Sequence, residues 1–145
     1  TIHNVVEIEE CRNTPYKLAF VNKFGALEDI WFYGASKENT STSKEDYKSN
    51  IVSAGSYSIN EHQRKILNKN GVDSMVINSN FYPEEHNETF KQLFLSEKVW
   101  ITYKTQVLPI HITSNAISFK NRLNDKLINY EINIEFSNNT INNIR

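Results

Sequence analysis

Cysteine occurs once in the 145 residues, as Cys11, which excludes an internal disulfide framework and any multi-cysteine metal site. Glycine (4) and proline (3) are scarce, and no glycine-rich phosphate loop can be assembled from so few. An excess of one charge is missing too. Sixteen basic against seventeen acidic residues leave a net charge of -1, without the basic surplus of a phosphate-binding surface, so no nucleic-acid partner is expected. No apolar run approaches the roughly 20 residues that span a bilayer, so no membrane span is expected. What remains, 39% hydrophobic and 23% charged, is the composition of a folded domain rather than a disordered tail. About one residue in seven is asparagine. The chain starts at Thr1 and reads as a single domain over 1–145, with a longer parent protein left open.

Period-two alternation dominates. Ile128, Tyr130, Ile132, Ile134 and Phe136 alternate with Asn129, Glu131, Asn133 and Glu135, which predicts a strand with one buried and one wet face. Val99, Ile101 and Tyr103 alternate in the same way, as do Leu108, Ile110 and Ile112, and Thr105-Gln106 is the expected tight connection between them. Pro109 has no amide donor, which puts its strand at a sheet edge or at a gap in the ladder. Ile2 to Ile8, Tyr16 to Asn22 and Leu27 to Tyr33 read as strands, the last entered through a turn at Lys23-Phe24-Gly25. Ile117 and Phe119 suggest a further short strand before a polar turn at Asn121 to Asp125. Asn70-Gly71, between Gln63 to Asn68 and Val72 to Asn78, predicts a hairpin.

One segment breaks the alternation. Phe90, Leu93 and Phe94 recur at helical spacing behind Pro83, Glu84 and Glu85, which suit the first turn of a helix, so a helix is expected over about 83–96. It would pack on the sheet through its two phenylalanines. Residues 35–50 are polar and charged, and predict a long surface loop. Strands that run consecutively, with a single helix, give an all-β fold: an antiparallel β-sandwich with one short α-helix.

No catalytic constellation emerges. Pro83-Glu84-Glu85-His86 lacks the second histidine of a zinc-protease helix, and its acids read as complements to a helix dipole. His3, His62 and His111 share no ligand spacing, so no metal and no cofactor is expected. Glu7 with Glu9, and Glu131 with Glu135, are carboxylate pairs, yet both lie on the faces of strands where solvated residues belong. Cys11 has no base or nucleophile elbow beside it and reads as a small hydrophobe. Sequons at Asn39, Asn87 and Asn138 are about as many as chance supplies in a chain so rich in Asn, Ser and Thr. The chain is therefore not expected to be an enzyme.

The aromatics carry more information. Trp31-Phe32-Tyr33 sends rings to both faces of one strand: Trp31 and Tyr33 fall on one side with Leu27, and Phe32 on the other with Ile30. Trp100 points away from Val99 and Ile101. Trp31, Tyr33 and Trp100 are thus candidate residues for a protein interface or for stacking on sugars, unless the helix covers Trp100.

Several segments, taken together, resemble a family. Asn22 to Tyr33 resembles a strand-turn-strand near the start of certain phage proteins. Ile77 to Ile101 resembles their middle, with a short helix ending Gln92 to Glu97 and then Val99-Trp-Ile101. Leu108-Pro-Ile110, Phe119-Lys120 and Leu123 to Phe136 resemble their C-terminal end. The family is a set of virion structural proteins, of tail or baseplate type, from phages and prophages of Bacteroidota. The resemblance implies a non-enzymatic building block in the virion, packed against copies of itself and other virion proteins. At the expected turn Asn78-Ser-Asn80 this chain lacks the glycine that relatives often place, although Asn80 can still adopt the left-handed conformation. The alternative is a carbohydrate-binding module with a glycan as partner, presenting Trp31, Tyr33 or Trp100 as an aromatic platform.

Overall fold

The computed structural model describes residues 12–114 and 127–140, so the expected strands at Ile2 to Ile8 and at Ile117 and Phe119 lie outside the described residues. Within them the chain is all-β with one short helix. Seven strands form one antiparallel sheet: β1 (Tyr16–Val21), β2 (Leu27–Phe32), β3 (Lys37–Lys48), β4 (Arg64–Pro83), β5 (Val99–Tyr103), β6 (Gln106–Ile112) and β7 (Leu127–Phe136). Their spatial order is β2-β1-β5-β6-β7-β4-β3. A 3-10 turn (Glu84–His86) leads from β4 into α1 (Asn87–Leu95).

The inner face carries the alternation read from the sequence. Ile128, Tyr130, Ile132 and Ile134 of β7 are buried with Leu18, Phe20, Ile30, Phe32, Met75, Ile77, Val99, Ile101 and Ile110. Helix α1 lies over this face and buries Phe90 and Leu93 completely, whereas Phe94 is only half-buried. The second ring that sequence spacing assigned to the core is therefore Leu93's place rather than Phe94's. Phe90 stacks on Tyr130 at 4.0 Å between centroids and meets Phe32 and Tyr82 edge-on. The β1–β2 turn docks on the exposed side of the helix. Lys23 N–H donates to Gln92 Oε1 (3.1 Å), and Lys23 Nζ sits 3.2 Å from Glu88, holding that carboxyl below its ordinary pKa. Gly25, at φ 78°, supplies the left-handed residue this turn needs.

The sheet curls until β2 returns to β4, and the two halves of the expected sandwich are parts of this one continuous surface. At the seam Gly34 N–H donates to Asn78 O (2.9 Å). Beside it β4 carries a bulge between Asn78 and Phe81, where Ser79 and Asn80 stand opposite Tyr130. The buried Ser79 hydroxyl accepts the Tyr130 N–H (2.8 Å), which fills the broken ladder. Asn80 has φ 60°, the left-handed conformation open to asparagine, but the segment is a bulge within β4 and not the turn read from the sequence.

Three local readings are corrected. Asn70-Gly71 is not a hairpin turn: both lie inside β4, opposite Ser43 and Thr42 of β3, and Gly71 does not have a positive φ. The connection from β5 to β6 is Lys104-Thr105, one residue earlier than expected, with both residues at positive φ (44° and 69°). Residues 35–50 are not a loop, because most of them form β3, paired with β4 along its whole length. All twelve residues of β3 are exposed, so no buried face imprinted an apolar alternation on the sequence. Pro109 is tolerated on an interior strand because its carbonyl accepts Ser137 N–H just where pairing with β7 ends, so its missing donor falls at the end of that ladder.

Candidate functional site

The most unusual surface is the ribbon made by β3 and the first half of β4. Pairing between β4 and β7 begins at Ser74, and Thr140 bridges to Gly71. Beyond that point residues 43–48 and 64–70 stand clear of the other described strands as a two-stranded arm, roughly 20 Å long at about 3.4 Å per residue. Among the described residues both of its edges are open: β3 is the last strand of the sheet, and Arg64 to Asn70 has no strand partner on the side away from β3. A two-stranded ribbon is at best marginal alone in water, and open edges are templates for further strands.

The outer arm is also where apolar surface collects. Tyr47, Val52, Tyr57, Ile59, Ile66 and Leu67 are six of the twelve exposed large hydrophobic side chains among the described residues. Leu67 is the extra residue at a bulge, where Glu45 pairs with Asn68 and Asp46 with Ile66. Such a concentration in one projecting segment exceeds the single scattered apolar side chains usual on a protein surface.

The arm meets the body at a cleft of about 460 Å³ bordered by Glu38, Asp73, Tyr103, Lys104, Phe136 and Thr140. Its carboxylates are already occupied. Tyr103 hydroxyl donates to Glu38 (2.9 Å), and Thr40 and Thr140 hydroxyls donate to the two oxygens of Asp73 (2.6 and 2.9 Å). These bonds brace the root of the arm.

The three aromatics singled out in the sequence separate. Trp31 is 45% exposed on the outer face of β2, and its strand partner is Lys17. Trp100 is half-buried on the same outer face, between Ala19 and Pro109. Helix α1 lies on the opposite face, against Phe32 and Tyr130, so it does not cover Trp100. Tyr33 instead belongs to the seam. Its hydroxyl donates to Phe81 O (2.9 Å), while Tyr82 hydroxyl donates back to Trp31 O (2.7 Å), and the two rings lie 5.5 Å apart. Burial, with Tyr33 alongside, pushes the Tyr82 phenol up to about 12. Glu131 and Glu135 share the outer face of β7, away from the core. Among the described residues no three His, Cys, Asp or Glu side chains converge as metal ligands, and no helix is long and apolar enough to cross a membrane.

No family model matches the chain, and no curated protein matches it. Solved structures do. The chain is similar to one from the tail of an empty GTA particle, refined helically with C6 symmetry, at 16% identity and a TM-score of 0.50 over 86% of this chain and 93% of that one. The two share a fold. A chain from the virion of a native gene transfer agent (GTA) particle is similar at 17% identity and a TM-score of 0.49, over 84% of this chain and 91% of that one.

Proposed function

We propose that this chain is a non-enzymatic phage virion structural protein, a building block of a tail or baseplate that assembles through protein-protein contacts with its own copies and with other virion proteins. The observation that carries the reading is the arm: a ribbon open on both edges among the described residues, polar along its length and apolar toward its tip. Such a segment gains most of its stability from a partner, and added strands or packed tips are the contacts it offers. The presence of the same fold in a tail of C6 symmetry supports this reading. Trp31 and Trp100, outward-facing and not covered by the helix, are the proposed secondary contacts. A glycan platform has less support, because the Tyr33 hydroxyl is taken by Phe81 and its ring by Tyr82.

Mass spectrometry of purified particles from a culture carrying the gene tests the proposal. Peptides such as Leu93 to Lys98 are expected at the level of a multi-copy component. Their absence from intact, well-covered particles would contradict it.

A further inference from the structure

The register of the arm places like charges directly opposite one another. Lys44 pairs with Lys69, and Lys48 with Arg64. Because β3 has no extra residue between Lys44 and Lys48, and Leu67 is absorbed by the bulge on β4, all four side chains emerge on one face. All four are exposed, and none has an ion pair among the described residues. Like charges directly opposite across strands weaken a ribbon. Only Asp46, between the two pairs, offsets them on that face. The arm is therefore built for an anionic partner, although the chain as a whole carries a net charge of -1.

The same chain holds a matching anionic surface. Glu131 and Glu135 lie on the outer face of β7, with Asn133 between them, and their neighbours on β4, Asn78 and Ser74, are uncharged. On β6, His111 stands beside Glu135. Glu131 and Glu135 are four residues apart on a strand, as Lys44 and Lys48 are, so both intervals are roughly 13 Å. Each glutamate can be bracketed by one cationic pair, and Asp46 then faces the amide of Asn133. The arm continues β4 past Ser74, where its pairing with β7 ends, so it extends the sheet edgewise and does not lie over the β7 of its own chain.

We infer that the cationic face of the arm in one copy docks on the outer face of β7 in a second copy, with Lys44/Lys69 and Lys48/Arg64 bracketing the two glutamates. This rests on the reading of the chain as an assembly protein and names the surfaces that meet. The contact is heterologous: each copy offers one arm and one β7 face, so it propagates into a ring or a filament rather than stopping at a dimer.

The test uses the full chain and two variants, one with Lys44→Glu, Lys48→Glu, Arg64→Glu and Lys69→Glu together so that both cationic pairs are reversed, and one with Glu131→Lys and Glu135→Lys, followed by sedimentation velocity. Each variant alone is expected to raise the dissociation constant for assembly by at least about a hundredfold, because like charges then face one another across the contact. Mixed in equal amounts, the two inert variants are expected to co-assemble, since the reversed arm of one fits the reversed β7 face of the other. Co-assembly would also show that both are folded. If either reversal leaves wild-type assembly unchanged, or the mixture stays monomeric, the docking is overturned while the assembly reading stands. A wild-type chain that stays at monomer mass at every concentration would bring down the reading itself. A labelled DNA duplex that binds the wild type, and is lost from the arm variant while assembly persists, would assign the cations to nucleic acid and also overturn the docking.

Discussion

Gly34 lies so close to Asn78 that a Cβ on it would fall 2.5 Å from the Asn78 side-chain oxygen and 2.8 Å from its carbonyl oxygen. This contact is the seam at which the curled sheet meets itself. Space, not backbone conformation, demands glycine here, since Gly34 does not have a positive φ. The Asn78 side chain cannot simply swing away, because its Oδ1 accepts the Asn80 N–H of the bulge (2.7 Å).

Gly34→Ala is accordingly expected to cost about 1–3 kcal/mol as an overpacked site. Gly71→Ala is the control. Its added Cβ would come no closer than 3.4 Å to Thr140, and the change should stay within about 0.5 kcal/mol. Chemical denaturation of both variants distinguishes them.

Phe90→Ala should remove about 3–5 kcal/mol, because the ring is fully buried among Phe32, Tyr82 and Tyr130. Phe94→Ala, at a half-buried position one turn on, should cost less than half as much. Equal losses in thermal denaturation would refute the placement of the helix.

Tyr82 gives the seam a signature in alkali. Its folded pKa of about 12 stands above the unfolded value of 10.0, so the folded state holds the proton more tightly. The stabilisation is complete below pH 10 and is lost as pH rises through 12. Absorbance titration of phenolate should show a late-titrating tyrosine that is lost in Tyr82→Phe, beside Tyr130, whose phenol pKa burial also raises, and that variant should lose less stability across the same interval.

At the arm tip, stability and assembly should separate. Ile59, at 88% exposed, and Leu67, at 70%, contribute little to the isolated fold. Ile59→Asp and Leu67→Asp are expected to change stability by less than about 0.5 kcal/mol. Both should weaken assembly measured by light scattering.

Where one face of an element is buried, the sequence was readable. The alternation from Ile128 to Phe136, the strand at Tyr16 and the spacing of Phe90 and Leu93 all record a core on one side. The arm records none, since solvent reaches both faces of β3, and its Thr, Ser and Lys look like those of a loop. Asn70-Gly71 misled for the same reason: the dipeptide favours a turn locally, and only pairing with Thr42 and Ser43 keeps it extended. Among the candidate residues, the outward direction of Trp31 and Trp100 followed from strand parity. The seam role of Tyr33 did not, because it depends on Phe81, 48 residues away.

The central claim is that the arm joins copies of this chain. Thr40 stands directly opposite Asp73, so the segment from Ser41 to Val72 can be replaced by an Asn-Gly turn that closes a two-residue hairpin there. Sedimentation velocity of this shortened chain beside the 16.9 kDa full chain is the most direct measurement. The account predicts that the full chain forms oligomers and that the shortened chain, folded by circular dichroism, stays at monomer mass. A shortened chain that assembles as readily as the full one would contradict it.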